Sequence, residues 1–506
     1  MLINIIQYLE NSIKRHPQKI AVQQGDVLIT FYELGVRSKS IARKILERTC
    51  EINKPIAVFL PKSVSSVLGD LGITYSGNAY MNLDVRAPDE RLSAILHHIQ
   101  PALLITDNAN YHRAKKLYSN ELVLNIDDMN FNEGVEVLEK NVVDFIIDQD
   151  PYCIINTSGS TGTPKSVVLN HKSFIDFIEW SVEKFKFDEG IKIGSLSPCI
   201  FDIYTYEICL MCAKGVTLYL IPEEYSTFPV KIINYLEDEG INFIFWVPTI
   251  MVNIANFDLL GERRLKLDVV WFAGEVFPTK QFNYWRGKLP TTTFVNMYGP
   301  IEITLDCTYF IVNREIEDDE PIPIGIACQN TDVIILNEFN RQVKSANEEG
   351  ELCVRGTSLA MGYYNNPEGT KSAFVQNPLN KSYPELIYRT GDLVTLNGFG
   401  EIVYKGRKDT LIKHLGYRIE LGEIEHVCVN VLKIVLNCCA LYRESEKRIV
   451  LIYESDVELE DKVLRTALAR VLPRYMVPHI YIHKKQLPMN PNGKIDRLRI
   501  KEGELS

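Results

Sequence analysis

The sequence predicts an α/β protein: a large N-terminal part with several subdomains of mostly parallel, helix-covered sheets, then a small α+β part. Three observations lead there. Short apolar, β-branched runs recur along most of the chain, and segments of helical hydrophobic period lie between them. After about Thr390 the texture changes, as Gly391, Gly398, Gly400, Gly406, Gly416 and Gly422 interrupt the chain.

Met1 to Glu10 (MLINIIQYLE) is apolar on one face and reads as an amphipathic helix. It lacks the basic start and small-residue cleavage site of a secretory signal, so a cytoplasmic location is expected. Strands are expected at Ile56 to Leu60, Ala102 to Thr106, Tyr152 to Asn156, Val216 to Ile221, Phe243 to Val247, Val269 to Phe272 and Thr293 to Met297. Phe174, Phe177, Ile178, Val182 and Phe185 mark an intervening helix. Alternation of this kind buries both faces of a parallel sheet beneath helices. The change of texture sets a domain boundary near Asp409, dividing 1–408 from 409–506. No internal repeat or low-complexity run is visible.

Composition excludes several classes of function. Among 506 residues, 55 Lys and Arg face 65 Asp and Glu, a formal net charge of −10, whereas a nucleic-acid binder needs a basic face. No apolar run approaches the ~20 residues of a membrane-spanning helix. The 11 cysteines are odd in number and scattered, which fits reduced thiols in cores. Cys209 and Cys212 form a C-x-x-C inside the apolar EICLMCAKG, and core packing is the expected role there. His97 and His98 are adjacent rather than one helical turn apart, which disfavours a metal site.

Thr157-Ser158-Gly159-Ser160-Thr161-Gly162-Thr163-Pro164-Lys165 follows the strand-like YCIIN. Glycines and hydroxyl residues in such a turn can present N–H and O–H donors to phosphate oxygens, with Lys165 adding a point charge. A Walker loop is excluded, because Pro164 precedes the lysine where that motif has glycine. Taken alone, the string also reads as a Ser/Thr/Gly surface turn.

Further along, the sequence resembles the adenylate-forming enzymes, and within them the adenylation domains of nonribosomal peptide synthesis. The likeness covers nearly the whole chain in the family's motif order. It begins with Ile29 to Leu34 (ITFYEL) and Tyr75 to Asp84 (YSGNAYMNLD), then the loop 157–165, Phe201-Asp202 and Asn296 to Glu302 (NMYGPIE). It continues through Gly350 to Gly356 (GELCVRG), Met361 to Tyr363, Tyr388 to Leu393 (YRTGDL), Gly406 to Asp409, Gly416 to Glu425 (GYRIELGEIE) and Asn492 to Lys494. Ser166, Ile301, Leu411 and Leu415 depart from the family pattern; Ile301 removes a hydroxyl near the nucleotide phosphates.

The resemblance implies a large domain binding ATP and an acid, and a small mobile domain turning at a hinge, Asp409. A carboxylate attacks the α-phosphorus of ATP, pyrophosphate leaves, and a thiol then takes the acyl group. Lys494, Lys165 and Glu302 are the implied catalytic residues, with Glu302 holding Mg2+. Nucleotide contacts fall to Thr157, Ser158, Gly159, Ser160, Thr161, Gly162, Gly274, Glu275, Asn296, Met297, Tyr298, Gly299, Asp392 and Arg407. The substrate pocket maps to Asp202, Ile203, Tyr206, Phe245, Trp271, Ala273, Met297, Leu305 and Asp306.

Asp202 matches the position that holds an α-ammonium, which favours an amino acid over a fatty or aryl acid, since a buried ammonium needs a paired carboxylate. Bulky Tyr206, Phe245, Trp271 and Met297 leave room for a small side chain, and Asp306 asks for a donor, which points to L-serine. Threonine, 2,3-diaminopropionate, D-alanine and proline remain alternatives, the last two because Gly274 to Pro278 (GEVFP) resembles enzymes activating them. An acyl- or aryl-CoA ligase and a non-catalytic nucleotide- or amino-acid-binding module also stay open. The alternative reading of Asp306 is a salt bridge to a nearby Arg or Lys. About a dozen residues follow Lys494, so a separate phosphopantetheinylated carrier protein is the expected partner, with the chain a monomer.

Overall fold

The computed structural model describes residues 2–131, 142–157, 165–261, 263–346, 348–408, 411–488 and 495–504. By contacts the chain groups into one unit of 1–84, 100–155 and 166–408, and a second of 85–99, 156–165 and 409–506.

The first unit is built on three sheets. Its nine-stranded sheet runs in the order Ile326–Ala327, Thr308–Ile311, Thr293–Tyr298, Val269–Phe272, Phe243–Trp246, Lys192–Ser195, Thr217–Leu220, Ile20–Gln24, Val27–Thr30. The inner pairs are parallel, and the pairs toward both ends are antiparallel. Residues alternate between its two faces. Phe243, Phe245, Val269, Trp271, Val295 and Met297 enter one buried core, while Ile244, Trp246, Val270, Phe272 and Phe294 enter another. Burial on both faces explains why these strands read as unbroken apolar runs. A seven-stranded sheet is likewise mostly parallel, and a five-stranded antiparallel sheet includes Gly350–Gly356, Leu386–Leu396 and Ile402–Arg407.

The N-terminal amphipathic stretch forms the helix Ile5–Arg15, with Asn4 accepting the Gln7 N–H at its start. The expected helical face lies on His171–Phe185, and Cys209 and Cys212 are buried free thiols. The expected strands form within a residue or so at each end. The α/β class therefore holds.

In the second unit, Leu411–His414 and Tyr417–Glu420 make a hairpin, and Asn437–Arg443, Arg448–Glu454 and Ile480–Lys484 a small sheet. The helices Leu421–His426 and Asp461–Leu468 contribute to its apolar core with Ile419, Leu451 and Met476. Among the described residues, no helix is long and apolar enough to cross a membrane.

Candidate active site

Asp392 stands on the long strand Leu386–Leu396, directly opposite Arg407 of Ile402–Arg407. Opposed residues of an antiparallel pair project to the same face, and here Arg407 Nη1 lies 2.5 Å from Asp392 Oδ1. The Tyr298 hydroxyl donates to the other oxygen, Oδ2. Burial, then the charge of Asp392, raises the Tyr298 pKa well above its usual value, so this phenol stays a donor at neutral pH. A carboxylate offers about four lone-pair sites. Asp392 thus retains acceptor capacity for a pair of vicinal hydroxyls while being braced from two sides.

Glu302 sits on the short turn Ile301–Ile303 and is fully buried. Tyr363 donates its hydroxyl to Glu302 Oε1 at 2.8 Å, and the Ala360 N–H donates to the Glu302 carbonyl at 2.9 Å. The loop bearing Glu302 is closed at its base by the Cys307 N–H on the Tyr298 carbonyl, 2.8 Å. Gly299 is required within it: a Cβ there would lie 2.2 Å from the Leu305 carbonyl oxygen. Thr304 and Leu305 both take left-handed backbone, with φ of 55° and 64°, uncommon for such side chains. One tight loop therefore carries Tyr298, Glu302, Leu305 and Asp306.

Around the proposed acid pocket, Asp202 opens the helix Asp202–Lys214, and its Oδ1 accepts the Ile203 N–H at 3.0 Å. An acid in the first turn suits the helix dipole. The Tyr206 ring stacks on Trp271 with centroids 5.5 Å apart, and Phe245 meets Trp271 edge-on at 5.3 Å. Adjacent pairing of the two parallel strands places Phe245 beside Trp271. Tyr206 donates its hydroxyl to Ser181 Oγ at 3.0 Å. Ile203, Ala273, Met297 and Leu305 are buried with this group, as is Asp306 at 3% exposure, whose charge helps burial raise the Tyr206 pKa. The pocket residues named from the sequence thus lie on neighbouring elements of one core.

The remaining residues divide. Asn296 Nδ2 donates to the Pro323 carbonyl at 2.8 Å, which fixes its amide. Gly274 takes a left-handed φ of 89°. Glu275 accepts the Thr249 N–H at 3.0 Å and the Thr249 hydroxyl at 2.5 Å, capping the helix Pro248–Asn256. Within the second unit, Lys165 Nζ lies 3.2 Å from Glu420 Oε1, and Thr157 Oγ1 donates to the Lys165 carbonyl at 3.4 Å. Ser158, Gly159, Ser160, Thr161, Gly162, Asp409 and Lys494 lie outside the described residues.

Two side chains with evident roles were given none by the sequence: Tyr363, which orients Glu302, and Glu420, which meets Lys165. Both stood inside quoted motifs, and only the third dimension supplies their partners.

Similarity to known proteins agrees with this arrangement. The family model of the AMP-binding enzyme matches residues 9–364. Zwittermicin A synthase ZmaJ of Bacillus cereus is 30% identical over 506 residues, covering 97% of this chain and 94% of that protein. The D-alanine--D-alanyl carrier protein ligase of Lacticaseibacillus casei is 29% identical, covering 98% of each. The Vibrio cholerae adenylation domain AlmE, solved with glycyl-adenosine-5'-phosphate, shares the fold at a TM-score of 0.84 and 21% identity, over 99% of this chain and 98% of that one. The chain spans only 44% of gramicidin S synthase 1 of Brevibacillus brevis, to which it is 29% identical. Fold and family match thus define the adenylate-forming class. The chain belongs to the AMP-binding enzyme family.

Proposed function

We propose that the chain activates a small amino acid, L-serine fitting best, as its aminoacyl-AMP with release of pyrophosphate. The acyl group then passes to the phosphopantetheine thiol of a separate carrier protein. The observation that carries the choice of acid is Asp306, a buried carboxylate whose charge acts on Tyr206, the ring that packs with Trp271, itself met edge-on by Phe245. These rings limit size. A side-chain hydroxyl can donate to Asp306, and a site built to hydrogen-bond that group discriminates against substrates lacking it.

The nucleotide half of the reading is supported by family membership and by the braced Asp392, suited to ribose hydroxyls. Arg407 assists there, and Tyr298 and Asn296 offer a ring face and an amide to adenine. The loop 157–165 is assigned to the phosphates. Glu302 fits Mg2+, a hard cation that prefers oxygen donors and is commonly held by one or two carboxylates together with substrate phosphates. When bound, the metal would neutralise phosphate charge. The protein's own tasks are to hold the ammonium at Asp202 and to aim the carboxylate, with Lys494 supplying charge as the new bond forms.

The relative that ligates D-alanine favours a second reading, activation of D-alanine. ATP–pyrophosphate exchange over L- and D-serine, threonine, alanine, glycine, proline and 2,3-diaminopropionate separates the two. L-Serine should lead, and Asp306→Ala should lower its kcat/KM about 10- to 100-fold, removing its lead over alanine. Alanine or proline outperforming serine in the wild type would reject the role given to Asp306. Coenzyme A compared with a pantetheinylated carrier as acceptor tests the second half-reaction.

A further inference from the structure

Asp392 stands where the pairing of two strands is irregular, and the side chains that hold it there take no part in the acid and nucleotide chemistry. Gly350–Gly356 and Leu386–Leu396 run antiparallel, with Glu351 opposite Leu393 and Cys353 opposite Arg389. Between those pairs a single residue, Leu352, faces three, Thr390, Gly391 and Asp392. The surplus is a β-bulge. Bulges re-aim side chains and occur often beside active sites, but they disrupt the ladder, so the displaced backbone groups need other partners.

Side chains supply them. The Gly391 N–H donates to Glu351 Oε1 at 3.2 Å, and the Asp392 N–H donates to Thr390 Oγ1 at 3.0 Å. Thr390 in turn donates its hydroxyl to the Leu352 carbonyl at 2.7 Å, across the bulge. Gly391 takes a left-handed φ of 73°, and its carbonyl accepts the Lys408 N–H at 2.9 Å. The other Glu351 oxygen, Oε2, accepts Arg389 Nε at 2.8 Å and lies 2.6 Å from Arg389 Nη2 and 3.3 Å from Lys408 Nζ. Glu351, Thr390 and Asp392 are all buried.

We propose that Glu351 and Thr390 are positioning residues that hold this bulge in one setting and so aim the Asp392 carboxylate at the ribose. The inference rests on the nucleotide reading above. Glu351 meets Gly391, the residue before Asp392, and Lys408, the residue after Arg407, so one carboxylate steadies both members of that pair. Its partners include a guanidinium and an ammonium, and such charge-assisted bonds are roughly twice as strong as neutral ones. The regular pairs on either side, Gly350 with Val394 and Val354 with Tyr388, do not depend on it. Loss of the Glu351 charge should therefore spare the sheet and loosen the bulge. That moves Asp392, while Asp202, Tyr206 and Trp271 stand on other elements.

The test measures exchange kinetics with ATP and with 2′,3′-dideoxy-ATP, whose sugar offers Asp392 no hydroxyl, for wild type, Glu351→Gln and Thr390→Val. Each variant should lose about tenfold in kcat/KM with ATP, mostly through the ATP KM, and no more than about twofold with the analogue. The amino-acid KM should stay within about twofold of wild type. Thr390→Val is close in shape to the residue it replaces and carries the same expectation should Glu351→Gln fail to fold. A merely structural role lowers Tm and slows both nucleotides alike, and that overturns the proposal. So does wild-type kinetics with ATP in either folded variant. Wild-type protein with no preference for ATP over the analogue would instead overturn the ribose role of Asp392, a failure recognised without any variant.

Discussion

Tyr363 shows how one hydroxyl sets the behaviour of a neighbouring carboxylate. Its 2.8 Å bond holds Glu302 Oε1 in a fully buried setting, so the carboxylate proposed to meet Mg2+ has little freedom to reorient. Tyr363→Phe should raise the Mg2+ concentration for half-maximal exchange and lower kcat about tenfold, while Tm falls by no more than the loss of about 1 kcal/mol implies. Unchanged magnesium dependence would remove Tyr363 from this role. At this scale the sequence was informative wherever chemistry is local. Asp392 and Arg407 were both named, though their direct opposition depends on the pairing of two strands. The left-handed Thr304 and Leu305 were illegible, because nothing in those residue types signals positive φ.

Strands and helices were legible where burial is one-sided or complete, since both leave a periodic or continuous apolar trace. Junctions between elements were not. The N-terminal helix Ile5–Arg15 appeared in the sequence as an amphipathic run, but its docking onto His171 did not. The Ile5 N–H donates to His171 Nδ1 at 3.3 Å, which requires that nitrogen to be unprotonated. Burial lowers the His171 pKa to about 3. An unfolded histidine titrates near 6.5, so between these values the unfolded chain binds the extra proton. The contribution is complete above about pH 6.5 and is lost progressively as pH falls toward the folded value, at about 1.4 kcal/mol per unit. Between pH 7.5 and 5, wild-type Tm should therefore fall more steeply than that of His171→Gln. Parallel curves would show that this junction does not sense protonation.

For the molecule as a whole, the ordered series of motifs conveyed the family, and the structure adds how the first unit arranges the ones it carries. Strands of one nine-stranded sheet supply Phe245, Trp271, Asn296 and Met297, and alternation turns Phe245, Trp271 and Met297 into one core while their neighbours Ile244, Trp246, Val270 and Phe272 enter the other. Sequence spacing could not give that division for certain, since a slip of one residue exchanges the faces. The resemblance of the motif series implies, and we propose, a role for Lys494 in the reaction. Lys494→Ala should abolish amino-acid-dependent exchange, a loss of roughly 100-fold or more, while leaving Tm near that of the wild type. Near wild-type exchange in this variant would transfer the charge-stabilising role elsewhere. The most direct measurement is product analysis after incubating the protein with ATP, Mg2+ and L-serine. Formation of an aminoacyl adenylate with an equal amount of pyrophosphate is predicted, whereas ADP and phosphate, or no consumption of ATP with serine or any other amino acid, would contradict the account.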